Sequence, residues 1–164
     1  MDLAEFNRAP DEQAVEVLSA CCDVPRWVAA VRDGRPYPDV EAAVKVADEA
    51  ARSFTASEVD RALARHPRIG ERAAGADTSA SWSREEQAGV ASDDTVQKAL
   101  AEGNRAYEER FGRVFLICAT GLSAEQILGA LSSRLGNDPD TEAAVVADEL
   151  RRIALLRLRK ALTA

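Results

Sequence analysis

His66 is the one histidine in 164 residues. It stands directly before Pro67, in the segment His66-Pro67-Arg68-Ile69-Gly70. Further on lies a second polar block, Ser83-Arg84-Glu85-Glu86-Gln87. An imidazole and a carboxylate can share proton transfer near neutral pH, which few side chains can do unaided. Taken alone, a histidine beside a helix end can simply cap the last carbonyls. Pro67 fixes the backbone immediately after the ring. Ser83 and Glu86 match the spacing of a capping box, so a helix is expected to start at Ser83. A helix start presents unpaired N–H groups and a positive dipole end, which suit an anion or a polar heterocycle. If Glu86 folds back on the Ser83 N–H, it is less available to a ligand. Gln87 carries both a donor and an acceptor and can read an amide or urea edge.

Arg157 stands out on periodicity. Val146, Leu150 and Ile153 share one helix face, and Arg157 falls on the same stripe. Leu156 flanks it, and Arg159 projects to nearly the opposite side. An unpaired buried charge costs several kcal/mol, so this guanidinium needs a partner. The partner is either a buried Asp or Glu, making a structural ion pair, or a substrate carboxylate held by the guanidinium fork. Phe115-Leu116-Ile117-Cys118-Ala119 reads first as core. Its backbone groups, where no regular helix uses them, can hydrogen-bond a flat ligand. Nothing near Cys118 in sequence lowers its pKa, which argues against a thiolate nucleophile.

Helices must position these groups. Val15, Leu18 and Cys22 repeat at helical spacing behind Asp11. Trp27, Val28 and Val31 continue behind Asp23, with Pro25 in a first turn. Gly34 to Pro38 is a break. Asp39 caps an Ala/Val-rich helix reaching about Ser53. Ser57 with Asp60 opens another that runs into His66, where Pro67 ends it. Residues 67 to 82, with Gly70 and Gly75, read as an exposed or site-forming loop. Asp93 or Asp94 opens a helix ending near Phe111-Gly112. Val114 to Ala119 is a strand or a buried helical turn, which periodicity does not separate. Ser123 and Gln126 form a second capping box, Gly136 suits that helix's end, and Asp138-Pro139 opens the last helix. The expectation is an all-α protein, one domain over 1–164, with about eight helices.

Composition narrows the classes. The net charge is -7 and the pI about 4.9, which argues against nucleic acid as a partner. No apolar stretch approaches the roughly 20 residues of a membrane helix, and no signal peptide is visible. Three cysteines, Cys21, Cys22 and Cys118, have no metal-ligand spacing, so no metal site is expected. A cytoplasmic protein is the simple expectation.

At the residues quoted above the chain resembles the OHCU decarboxylase family, which acts on 2-oxo-4-hydroxy-4-carboxy-5-ureidoimidazoline. The matching features are His66-Pro67, the Ser83 to Gln87 block, and the run from Tyr107 through Phe111-Gly112 to Phe115–Ala119. Arg134 to Asp138 and Leu156-Arg157-Leu158 also match. The likeness runs from about Phe6 to the C-terminus. It implies an all-α fold, often dimeric, with no metal or organic cofactor. It implies loss of CO₂ from an unstable intermediate of urate oxidation, leaving S-allantoin. By this resemblance His66 is the proton donor, Glu86 the partner carboxylate and Arg157 the site arginine. Pro67, Ser83, Arg84, Glu85, Gln87, Phe115, Leu116, Ile117, Cys118 and Ala119 are the substrate-contacting positions. Two other readings stand beside it: an enzyme of the same fold acting on a different heterocyclic ureide, and an acidic helical module that binds a protein, with the three polar residues structural.

Overall fold

The computed structural model describes residues 1–71, 77–88 and 94–164. Among them the chain forms nine helices: α1 (Leu3–Arg8), α2 (Asp11–Cys21), α3 (Pro25–Asp33), α4 (Val40–Ala51), α5 (Ala56–Leu63), α6 (Thr78–Glu86), α7 (Asp94–Phe111), α8 (Ala124–Leu135) and α9 (Pro139–Thr163). No strand occurs among the described residues, and Asp2 and Thr163 form an isolated antiparallel bridge. The all-α expectation holds. None of the helices is long and apolar enough to cross a membrane, among the residues described.

The helix not anticipated is α1. Asp2 and Glu5 cap it reciprocally, at 2.8 and 2.9 Å. Its six residues are too few for a 3.6-residue period to show. The start of α5 also differs from expectation. Thr55, not Ser57, accepts the Glu58 N–H at 3.2 Å, and Glu58 returns the bond to the Thr55 N–H at 2.9 Å. Pro25 opens α3, but Val24 occupies the cap position and Asp23 does not cap it. Asp39, Ser123 and Asp138 do cap their helices, through bonds to Ala42, Gln126 and Thr141. Asp94 opens α7, while the alternative start Asp93 and the loop glycine Gly75 lie outside the described residues.

The chain divides into two compact units. One comprises Met1–Ala62 and Leu150–Ala164. There α3 packs on α2 and α4, and the buried Trp27 indole donates to the Ala47 carbonyl at 2.9 Å. The break at 34–38 is fastened by Asn7, which exchanges two 2.9 Å bonds with Tyr37. Arg151 pairs with Asp48, and Arg159 with Glu41 at 3.0 Å.

The other unit is Leu63–Glu149. Its core gathers Ile69, Leu100, Tyr107, Phe115, Ile117, Ala119, Ile127 and Leu131. α7 and α8 approach closely at Gly103, where an added Cβ would lie 2.4 Å from the Leu131 side chain. A buried ion pair closes this unit. Arg134 donates to Glu142 Oε1 through Nε and Nη2, at 2.8 and 2.6 Å. The same oxygen accepts the Tyr107 hydroxyl at 2.5 Å, and Asn137 serves the other at 3.0 Å.

Candidate active site

α5 stops at Leu63 with Pro67 ahead. Proline disfavours helical conformation in the residue before it. The chain therefore turns at Ala64 and Arg65, and the His66 N–H donates to the Leu63 carbonyl at 3.0 Å. His66 and Pro67, both half-buried, line a cavity of about 340 Å³ together with Ala64, Arg65, Asp77, Ser79 and Ala80. The last three form the start of α6 and its cap.

The helix does not start at Ser83 as its capping-box spacing implied. α6 begins earlier, where the Asp77 carboxylate accepts the Ala80 N–H at 2.8 Å. Ser83 lies inside the helix and is buried, and Glu86 is its last residue. S-x-x-E marks a helix start only when the chain before it is not already helical. Asp77 supplies the cap first, so residues 78 to 82 are helix rather than loop. The remaining loop positions 72–76 lie outside the described residues. Two consequences follow. The positive dipole end expected at Ser83 lies instead at the Asp77–Ala80 turn, where Asp77, Ser79 and Ala80 line the His66 cavity. Glu86, as the last residue of α6, does not occupy a capping-box position.

Helical spacing puts Ser79, Ser83 and Glu86 on one stripe of α6. Ser79 and Ser83 are buried and Glu86 half-buried; Arg84 is half-buried and Glu85 exposed. The segment after His66 runs beside this helix. His66 shares a cavity with its first turn, while the Gly70 N–H donates to Gln87 Oε1 at 3.0 Å, just past its end. Gly70 has φ +91, which a side chain adopts only under strain. The Gln87 carbonyl, expected to read an amide edge, thus fastens this loop.

Phe115 to Ala119 is neither a paired strand nor a helical turn. It has no regular secondary structure, and side chains rather than a ladder bond its backbone at Leu116 and Cys118. Arg134 Nη1 donates to the Leu116 carbonyl at 2.7 Å, and the Cys118 N–H donates to Glu149 Oε2 at 2.9 Å. Phe115, Leu116, Ile117 and Ala119 are buried and Cys118 half-buried.

Arg157 belongs to the first unit. It is 3% exposed, as its stripe implied, beside buried Ile153 and Leu150, while Leu156 is 42% exposed. Its Nη1 donates to the Ala20 carbonyl at 3.1 Å. Burial pushes the Cys22 thiol up to about 12, against the pull of the Arg157 charge.

What the arrangement offers is a polar cavity with an imidazole on one wall, and a helix start with its carboxylate cap and a buried hydroxyl on another. A cavity of this size with convergent polar groups suits a small, hydrogen-bonding molecule. The model of the OHCU decarboxylase family matches residues 7–159. The chain belongs to the OHCU decarboxylase family. The 2-oxo-4-hydroxy-4-carboxy-5-ureidoimidazoline decarboxylase of Amia calva is 33% identical, over 97% of this chain and 93% of its own. The uric acid degradation bifunctional protein TTL of Arabidopsis thaliana is 28% identical over 85% of this chain. The chain spans 44% of that protein, and 32% of a Bacillus sp. (strain TB-90) bifunctional relative with 24% identity. The crystal structure of an OHCU decarboxylase in the presence of (S)-allantoin shares the fold, with a TM-score of 0.74 at 24% identity, covering 94% of this chain and 99% of that one.

In this OHCU decarboxylase family member, several residues around the His66 cavity and in the core beside it carry weak or no signals in the sequence. Asp77 and Ser79 fall within residues 67 to 82, which read as loop by sequence pattern but include the first turn of α6. Arg134 carried a usable signal, because it continues the Ile127, Leu131 stripe of α8 just as Arg157 continues that of α9. Asn104 does the same between Leu100 and Tyr107 on α7.

Proposed function

We propose that this chain, acting as a single all-α domain over 1–164, decarboxylates 2-oxo-4-hydroxy-4-carboxy-5-ureidoimidazoline to S-allantoin in urate degradation. The family membership names the reaction, and the observation that carries its chemistry is the placement of the sole histidine in a polar cavity against the first turn of α6. The bond to the carboxylate carbon breaks, CO₂ leaves, and the electron pair spreads into the conjugated ring imine. The carboxylate must stand out of the ring plane for that overlap to develop. His66 then delivers a proton to one face of the carbon, which sets the handedness of the product. Glu86 orients His66 or accepts the hydroxyl proton. Arg157 orients an anionic group of the substrate with its planar fork. Pro67, Ser83, Arg84, Glu85, Gln87 and the Phe115–Ala119 segment contact the substrate. Positioning and charge placement supply much of the barrier reduction, and a placed acid contributes about 10²–10⁴-fold. No step draws on a metal or an organic cofactor. The same reading makes the enzyme cytoplasmic and dimeric, the latter checked by sedimentation.

The test is stereochemical. The intermediate is generated from urate, the protein is added, and the optical activity of the allantoin is followed. Spontaneous decay gives a racemate, and the enzyme is expected to give one enantiomer. His66→Ala and Glu86→Ala are each expected to lose activity by orders of magnitude with helical circular dichroism intact. Near-normal turnover by His66→Ala would remove the proton-donor role.

A further inference from the structure

Asn104 is an odd residue for its place. It lies on the buried stripe of α7 between Leu100 and Tyr107, and is 4% exposed. Both of those neighbours belong to the apolar core of the second unit, together with Ile69. Its Nδ2 donates to the Ile69 carbonyl at 2.8 Å. Its Oδ1 is buried without a hydrogen-bond partner among the described residues. A buried amide oxygen left unsatisfied costs about 1–3 kcal/mol. An apolar residue here would avoid that cost and complete the stripe but would orphan the buried Ile69 carbonyl, so net core stability does not favour the asparagine. What it uniquely does is hold the Ile69 carbonyl.

We propose that Asn104 is a positioning residue for the proton-transfer step: its amide, gripping Ile69, sets where the His66 ring stands in the cavity. The inference rests on the reading of His66 as proton donor. Only Pro67 and Arg68 separate Ile69 from His66, and the proline ring removes one of the few soft torsions between them. A displacement at Ile69 therefore reaches His66 with little slack. Side-chain bonds also hold the same segment, from the Gly70 N–H to Gln87 and from Arg68 Nε to Glu108 Oε1 at 2.6 Å. The Arg68–Glu108 pair is partly exposed and contributes little to rigidity. The Ile69 bond is buried. Asn104 does not line the His66 cavity. It lines a separate one of about 330 Å³, with Arg68, Glu71, Arg105 and Glu108 as the charged groups around it. It acts through the loop and does not touch the substrate.

The experiment uses the full chain, with His66→Ala measured in parallel. Asn104→Leu removes the donor and the orphaned oxygen together. Its melting temperature is expected to stay within a few degrees of the parent, because the buried Ile69 carbonyl it releases offsets the oxygen it removes. Its kcat is expected to fall roughly tenfold or more, as misplacements near 1 Å do, with KM changed less than about threefold. The allantoin it makes is expected to lose enantiomeric purity. Asn104→Asp keeps the shape but faces the Ile69 carbonyl with a carboxylate at neutral pH. As pH falls that buried acid takes a proton and can donate again, so its kcat relative to the parent is expected to rise. Parent-like kcat in both variants, with His66→Ala inactive, overturns the inference and leaves the donor reading standing. Loss of kcat only in proportion to unfolded protein, with no change in the pH profile, also overturns it. Full activity in His66→Ala overturns both.

Discussion

Among the described residues, Arg134 and Arg157 are buried arginines. Arg134 is committed to Glu142, within bonding distance through two of its nitrogens. Arg157 donates to a main-chain carbonyl, Ala20. A guanidinium that serves substrate needs its fork more than its charge, so Lys at 157 is not a conservative change. Arg157→Lys is expected to lower kcat/KM by about tenfold or more while the helical signal persists. Steady-state kinetics beside thermal melting check this. Unchanged kinetics would make Arg157 structural. Arg159, 43% exposed in its side chain and paired with Glu41, serves as the control, and its replacement by Lys is expected to change stability within about 0.5 kcal/mol. The burial of Arg157 was legible in the sequence, because helical spacing alone places it among Leu150 and Ile153. The pairing of Arg134 was not, since its partner Glu142 precedes any periodic signal in α9 and Tyr107 comes from a distant helix.

Helix caps were readable wherever the pattern was short-range and unrivalled. Asp39, Ser123 and Asp138 each accept an N–H three residues on. α6 shows the limit. Asp77 and Ser83 both precede helix-compatible residues, and the chemistry of S-x-x-E at 83–86 reads the same whether or not a helix is already under way. Local rules rank the two starts nearly equally, and the surrounding fold selects the earlier one. The choice is measurable. Asp77→Ala is expected to cost about 1 kcal/mol of stability, while Asp77→Asn, which keeps an accepting oxygen, restores most of it. Urea midpoints read the difference. Because Asp77 also lines the His66 cavity, the same pair tests whether its charge matters to turnover: if it does, Asn restores stability and not rate.

At the scale of the whole molecule, Glu142, 1% exposed, is the carboxylate expected to shape acid stability most. Burial raises its carboxyl, but hydrogen bonds from Arg134, Tyr107 and Asn137 outweigh that and hold it below the usual carboxylate range. A depressed folded value gives stability that is present above the ordinary carboxylate pKa and lost as pH falls through the folded one. Glu142→Gln leaves Arg134 charged and buried, and is expected to cost about 3–5 kcal/mol. It is also expected to flatten the acid limb of a stability-against-pH curve, followed by urea unfolding at a series of pH values. An acid limb as steep as the parent's would move that dependence to other carboxylates, such as Asp48, which hydrogen bonds from Arg151 lower.

The sequence by itself determined the helical class, most helix ends, the burial of Arg157 and the singling out of His66. Each depends on spacing along one element or on the count of a residue type, and such information is complete within a few turns of chain. Only the tertiary structure decided that the Asp77 turn faces His66, that Gln87 and Asn104 clasp the loop between them, and that the Phe115–Ala119 backbone is held by Arg134 and Glu149. Those contacts join residues far apart in the chain. Their partners satisfy hydrogen bonds that any of several polar side chains could satisfy, so local pattern carries no record of which one folding brings near.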